Sequence, residues 1–167
     1  MNPGLTLPAT HWEAVRQLIS RLPPNEVVWA LTGSAGLRLQ GIDLSVADLD
    51  VQTDKSGAKK IVRAFADCVQ DRLRYRRSPG VRSYFARLEI AGVQVEVMGE
   101  LRKRLPDGSW EPPVDVEPIR RWAEVDGLRI PVIDPEYEAR AYEIMGRTEK
   151  AQQIRRALDG MKRAANG

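Results

Sequence analysis

The stretch ALTGSAGLRLQGIDLSVADLDVQTD, residues 30–54, constrains the chain more than any other. It runs an apolar strand into a Gly33-Ser34 turn and a short helix, then sets Asp48 and Asp50 inside a second apolar strand. Side chains alternate across a strand, so Ala47, Leu49 and Val51 share one face while Asp48, Asp50 and Gln52 share the other. Further on, VQVEVMG repeats the pattern: Val93, Val95 and Val97 point to a core, and Gln94, Glu96 and Met98 point away from it. If the two strands are neighbours, Asp48, Asp50 and Glu96 converge on one face. Three clustered carboxylates raise one another's pKa unless a cation neutralises them. An open set of oxygen ligands suits Mg²⁺, or Mn²⁺ in its place, because such an ion keeps waters and takes phosphate oxygens.

The turn supplies the complementary half. A helix N-terminus offers free backbone N–H groups, Gly33 lets an anion approach the backbone, and the Ser34 hydroxyl adds a donor. An acidic metal cluster beside an anion-binding turn predicts a nucleoside triphosphate as guest.

Composition narrows the class further. A single Cys68 and a single His11 exclude an intramolecular disulfide and a cysteine-based zinc site. The N-terminal MNPGLTLPATHWEAV has no signal-peptide pattern, and no apolar run is long enough to span a membrane, so a reduced, cytoplasmic protein with no membrane partner is expected. A net charge of +3 and a pI of about 9.2 are only mildly basic.

The remaining pattern predicts one α+β domain over 1–167, with a core at about 10–133 and C-terminal helices at about 134–164. THWEAVRQLISRL reads as a helix opened by a Thr10–Glu13 capping box. Asp54 caps a long helix predicted through KSGAKKIVRAFADCVQDRL. VRSYFARLEI and VQVEVMGE form a hairpin around Ala91-Gly92, and RRWAEV and LRIPVI form another on Asp126-Gly127. EYEARAYEIM and TEKAQQIRRALDGMKRA give a helical pair jointed at Gly146. Trp29 and Trp122 read as core, and LRKRL at 101–105 as a loop charge cluster. Hairpins among helices argue against a purely parallel doubly wound sheet.

With LTGSAGLRL, ADLDV and VEVM in this order, residues 27–98 resemble the nucleotidyltransferase superfamily, which includes polymerase-β-like enzymes and small antibiotic adenylyltransferases. The resemblance implies a nucleotidyltransferase-like mixed β-sheet with helices on one face and the helical pair flanking a cleft. It implies that Gly33 and Ser34 hold the triphosphate, that Asp48 and Asp50 bind metal, and that Glu96 is the third catalytic carboxylate and metal ligand. MGRTEKAQQI is similar to a C-terminal pattern of some small members, which makes Lys150 and Arg147 candidates for reaching the phosphates. The implied activity is Mg²⁺-dependent transfer of a nucleoside monophosphate, with AMP expected, from an NTP to an acceptor hydroxyl, with release of pyrophosphate. A non-catalytic nucleotide-binding or toxin–antitoxin partner protein on the same fold, or a metal-dependent nuclease, are the alternatives. The acceptor, whether small molecule, RNA or protein, has no signature of its own.

Overall fold

Strand alternation organises the core. The structure is a computed structural model describing residues 4–167. Its strands are β1 (Trp29–Thr32), β2 (Leu49–Thr53), β3 (Val69–Arg77), β4 (Val81–Ile90), β5 (Val93–Lys103), β6 (Arg120–Val125) and β7 (Leu128–Ile133). They form one seven-stranded mixed sheet in the order β3-β4-β5-β2-β1-β7-β6. β2 runs parallel to β5 and β1 parallel to β7, while β1 and β2 are antiparallel. Residues of β5 alternate strictly between buried and half-buried, as the valine spacing requires.

Helices α1 (Ala9–Arg21) and α3 (Lys55–Ala64) cover one face of the sheet. Val15, Leu18, Ile61 and Phe65 pack there with Leu31, Leu49, Val51, Val95 and Val97, all fully buried. Each such side chain contributes roughly 1.5–3 kcal/mol by leaving water. Helix α2 (Gly33–Leu39) follows β1 directly; Leu37, with Ile42 and Leu44 beyond it, packs against Ala139, Tyr142, Ala151 and Ile154 of α4 (Pro135–Ile144) and α5 (Thr148–Asn166). The C-terminal pair therefore stands beside the polar face of β1 and β2. Both hairpins turn where expected: Ala91-Gly92 and Asp126-Gly127 each have two consecutive residues at positive φ, the requirement of a two-residue turn that follows the sheet's twist.

Four expectations fail, the first being the loop at 101–105: β5 runs on through Leu101–Lys103 and buries Lys103. The helix begun by Asp54, whose side chain accepts from the Gly57 N–H at 2.5 Å, ends at Ala64, and Val69–Arg77 is strand β3 rather than helix. Val69 and Leu73 satisfy both periods, and the unpaired edge of β4 decides between them by offering a ladder of backbone hydrogen bonds. The capping box does not form: α1 starts one residue early, at Ala9 after Pro8, with no side-chain cap. Thr10 instead meets His11, whose Nε2 lies 2.7 Å from the Ala47 carbonyl. Trp122 is half-buried on an outer strand, held between Arg120 and Arg129, whereas Trp29 is core and donates its indole N–H to the Leu22 carbonyl.

Candidate active site

The parallel pairing of β2 with β5 aligns Asp50 with Glu96, and the antiparallel pairing of β1 with β2 aligns Thr32 with Asp50. One polar row thus crosses three strands. Asp48 lies just before β2 and is exposed. Gln94 links it to Glu96, placing its amide nitrogen 3.3 Å from Asp48 Oδ2 and 3.3 Å from Glu96 Oε1. On its other side Glu96 receives Arg87 from β4 at 3.4 Å, and Arg87 also holds Asp71 of β3 at 2.6 Å.

At the far end of the row, Gly33 takes a left-handed φ of 68°, which turns β1 into α2. A Cβ at that position would stand 2.9 Å from Asp50 Oδ2, so glycine is required by both backbone and neighbour. Ser34 accepts a hydrogen bond from Lys150 Nζ at 2.9 Å, which brings the first turn of α5 onto the turn. Arg147, just before α5, and Lys150 both face the Tyr142 ring, at 4.9 and 5.4 Å from its centroid. All seven residues expected from the sequence, Gly33, Ser34, Asp48, Asp50, Glu96, Arg147 and Lys150, therefore fall around the same region of the polar face and its flanking helices.

Glu138 was not expected. It projects from α4 beneath the turn, almost fully buried, and accepts the Gly33 N–H at 3.1 Å and the Thr32 hydroxyl through a short hydrogen bond. Thr32 in turn accepts from Gln52 at 3.1 Å. Burial, against the pull of these donors, lifts the Glu138 carboxyl to about 7. The sequence carried a signal for it: Glu138 shares the buried stripe of α4 with Ala141 and Tyr142, where an acid needs a partner. Lys103 was likewise missed. It is buried at the end of β5 and bound to Glu111 at 3.1 Å and to the Tyr137 hydroxyl at 3.2 Å.

The acids are in electrostatic tension. Burial first, then Glu96 and Asp48, raise Asp50 to about 6, with Lys150 opposing. Lys150 is itself lowered by burial and by Arg147. Among the described residues no three His, Cys, Asp or Glu side chains close into a preformed metal cage. The donor set still fits a hard divalent cation: Asp50 resists ionisation through burial and its acidic neighbours, and an open shell suits an ion completed by water and phosphate.

A mixed sheet carrying a glycine-serine turn opposite acids on paired strands defines the nucleotidyltransferase class, and comparison with known proteins agrees. The chain belongs to the aminoglycoside-2″-adenylyltransferase family, whose profile matches residues 14–158. It is 40% identical to a candidate nucleotidyltransferase of Thermotoga maritima, over 93% of this chain and 97% of that one, with a TM-score of 0.81. The fold is shared with the lincosamide antibiotic adenylyltransferase LnuA in its lincomycin-bound form, at 12% identity over 91% of this chain and 98% of that one, TM-score 0.53. ANT(2″)-Ia in complex with adenylyl-2″-tobramycin shares it too, at 9% identity over 92% of each chain, TM-score 0.59. No curated protein sequence matches. The protein is a nucleotidyltransferase. Among the described residues no helix is long and apolar enough to cross a membrane.

Proposed function

We propose that this nucleotidyltransferase moves AMP from Mg²⁺-bound ATP to a hydroxyl group of an acceptor. The observation that carries the reading is the alignment of Asp50 with Glu96 opposite the Ser34–Lys150 pair, which sets metal-type carboxylates beside an anion-binding turn. Asp48 and Asp50 would hold the metal, with Glu96 as the third ligand. When bound, Mg²⁺ supplies positive charge that polarises the phosphoryl group and offsets the tension on Asp50.

The residues of the chain do the remainder. Ser34 and Lys150, with Arg147 beside them, bind and orient the β- and γ-phosphates; Lys150 is already hydrogen-bonded to the turn. Glu138 fixes that turn from below, so the phosphates meet a preset backbone. The acceptor oxygen then forms a bond to the α-phosphorus while the bond from that phosphorus to the α,β-bridging oxygen breaks, and pyrophosphate leaves. Glu96 orients the acceptor hydroxyl and takes its proton. AMP is favoured over other nucleotides by the family's adenylyltransferase description.

The test is incubation with each α-labelled NTP, Mg²⁺ and separate pools of RNA, protein and small molecules, with mass spectrometry of whatever gains a nucleotide. Labelled AMP on one pool, absent with Asp48→Ala/Asp50→Ala, is the expected outcome. Metal binding that is unchanged in that double variant by calorimetry would sink the assignment.

A further inference from the structure

The polar side chains around the Gly33 turn are tied to one another: Thr32 to Glu138, Gln52 to Thr32, and Lys150 to Ser34. Tyr142 of α4 is the exception. Only 6% of its surface stays exposed, yet its hydroxyl has no hydrogen-bond partner among the described residues, whereas the hydroxyl of Tyr137, on the same helix, accepts from Lys103 at 3.2 Å. Buried phenol hydroxyls normally find a partner. Unlike Gln52 Oε1, which is sealed off without one, the Tyr142 hydroxyl reaches open space. A partner from solution can complete it there.

The position of that hydroxyl says which partner. A Cβ on Gly33 would stand 2.9 Å from Asp50 Oδ2 and 3.8 Å from the Tyr142 hydroxyl oxygen, so a carboxylate and a free donor flank one point above the turn. Glycine keeps that space clear for an anion to approach the backbone. The Tyr142 ring also carries the two cations of the turn, with the Arg147 guanidinium 4.9 Å and the Lys150 ammonium 5.4 Å from its centroid. Across the Gly146 joint, which has a φ of 79°, the Arg147 N–H donates to the Tyr142 carbonyl at 2.8 Å. One residue thus sets both cations and points its own donor at the turn. Burial pushes the hydroxyl up to about 12, with Glu138 adding, Arg147 opposing and Asp50 adding least, so it keeps its proton well above the range in which the carboxylates ionise.

We infer that Tyr142 is a further substrate-binding residue of the transfer, its hydroxyl donating to a non-bridging oxygen of the part of the nucleotide that leaves as pyrophosphate. A phosphate above Gly33 meets the metal on the Asp50 side and the phenol on the other, next to Lys150 and Ser34. A neutral donor suits this place, because Lys150 is already lowered by burial and by Arg147, and a third cation would lower it again. Negative charge grows on the pyrophosphate oxygens as the bond to the α-phosphorus breaks, so the hydrogen bond strengthens toward the transition state. No proton leaves Tyr142. The inference rests on the donor side proposed above and adds to it a ligand from α4.

The probes are Mg²⁺-pyrophosphate and Mg²⁺-ATP, each titrated by calorimetry into wild type and Tyr142→Phe. The phenylalanine keeps the ring beside Arg147 and Lys150 and removes only the hydroxyl. Loss of one hydrogen bond to a charged group predicts about ten- to a hundredfold weaker binding of both probes, by the same factor. The urea midpoint of the ligand-free variant should equal that of wild type, because the hydroxyl has no protein partner to lose. Unchanged affinity for both probes in Tyr142→Phe overturns the inference. So does a loss for ATP without a loss for pyrophosphate, which would put the hydroxyl on the nucleoside or the α-phosphate, and so does a lowered urea midpoint, which would make the hydroxyl a packing group. Wild type and variant that bind Mg²⁺-ATP equally reject Tyr142 alone, whereas wild-type protein that binds neither probe rejects the donor side as well.

Discussion

The two sides of the acidic row are built on opposite principles. On the β1 side the polar groups are tied to other elements, with Glu138 beneath Thr32 and Gly33, Lys150 on Ser34 and Gln52 on Thr32, and only the Gln52 Oε1 among these is left without a partner. On the β3–β4 side Arg72, Arg74, Arg76 and Arg77 are exposed with no carboxylate partner among the described residues, while the half-buried Arg87 pairs with Asp71 and Glu96. A buried hydrogen-bonded network fixes geometry in advance, and exposed charges stay adaptable. The donor is the same molecule in every cycle and gains from a rigid cradle. The β3–β4 side is left exposed.

Asp50 joins the two halves, and changing it should have the largest effect. Asp50→Asn is expected to lower transfer at least about a thousandfold, roughly 4 kcal/mol of transition-state stabilisation, in a labelled-ATP assay. Stability should move the other way. Because the folded state lifts Asp50 from 3.8 to about 6, its contribution is full below pH 4 and is lost as pH rises to 6. The metal-free variant should therefore match wild type near pH 4 and exceed it by about 2 kcal/mol at pH 8 in urea melts, the figure being reduced for partial exposure. Equal destabilisation at both pH values would make Asp50 a structural residue.

Glu138 tests whether the donor side is preset. Glu138→Ala orphans the Gly33 N–H and the Thr32 hydroxyl, and should cost about 2–3 kcal/mol at pH 5. Glu138→Gln keeps an acceptor oxygen without the charge. Since wild-type stability from Glu138 is full below pH 4.5 and falls as pH passes 7, the glutamine variant should equal wild type at pH 5 and surpass it at pH 8. A glutamine variant as unstable as the alanine one at both pH values would show that the hydrogen bonds to the turn are not what Glu138 provides.

The same contrast explains what could be read from the sequence. Period-two alternation put Asp50 and Glu96 on one face provided that their strands were neighbours, and the pairing of β2 with β5 makes them so. Hairpin turns were legible because positive φ selects Ala91-Gly92 and Asp126-Gly127 locally. Strand β3 was not, since Val69 and Leu73 fit either period and only the distant β4 edge decides. Hidden with it were Arg74, Arg76 and Arg77, which lie just beyond the end of the expected helix. Glu138 was obscured for a related reason: its partners, Thr32 and Gly33, lie more than a hundred residues away.

Within the donor side, three substitutions should separate binding from chemistry by fluorescence titration with ATP. Gly33→Val puts a branched side chain against Asp50 at a left-handed position and should weaken ATP most. Ser34→Ala deletes one hydrogen bond to a charged group, worth roughly 1.5–3 kcal/mol, or about ten- to a hundredfold in affinity. Glu96→Gln should leave ATP affinity nearly unchanged while abolishing transfer. An order in which Glu96→Gln harms ATP binding more than Gly33→Val would overturn the division of roles.

The smallest effect is expected on the β3–β4 side, in stability alone. Arg74 and Arg76 lie exposed on an edge strand, with like charges at Arg72 and Arg77 nearby and no ion pair to lose among the described residues. The one contact at stake is Arg76 over Phe85, which at an exposed site is worth roughly 0.5–1 kcal/mol. Relief of repulsion between neighbouring arginines offsets part of it. Arg74→Gln/Arg76→Gln should therefore unfold within about 0.5 kcal/mol of wild type in urea, with an unchanged m-value. A loss above about 1.5 kcal/mol would mean that these arginines pin β3 to the sheet, and the contrast between a preset β1 side and an exposed β3–β4 side would collapse into one structural role.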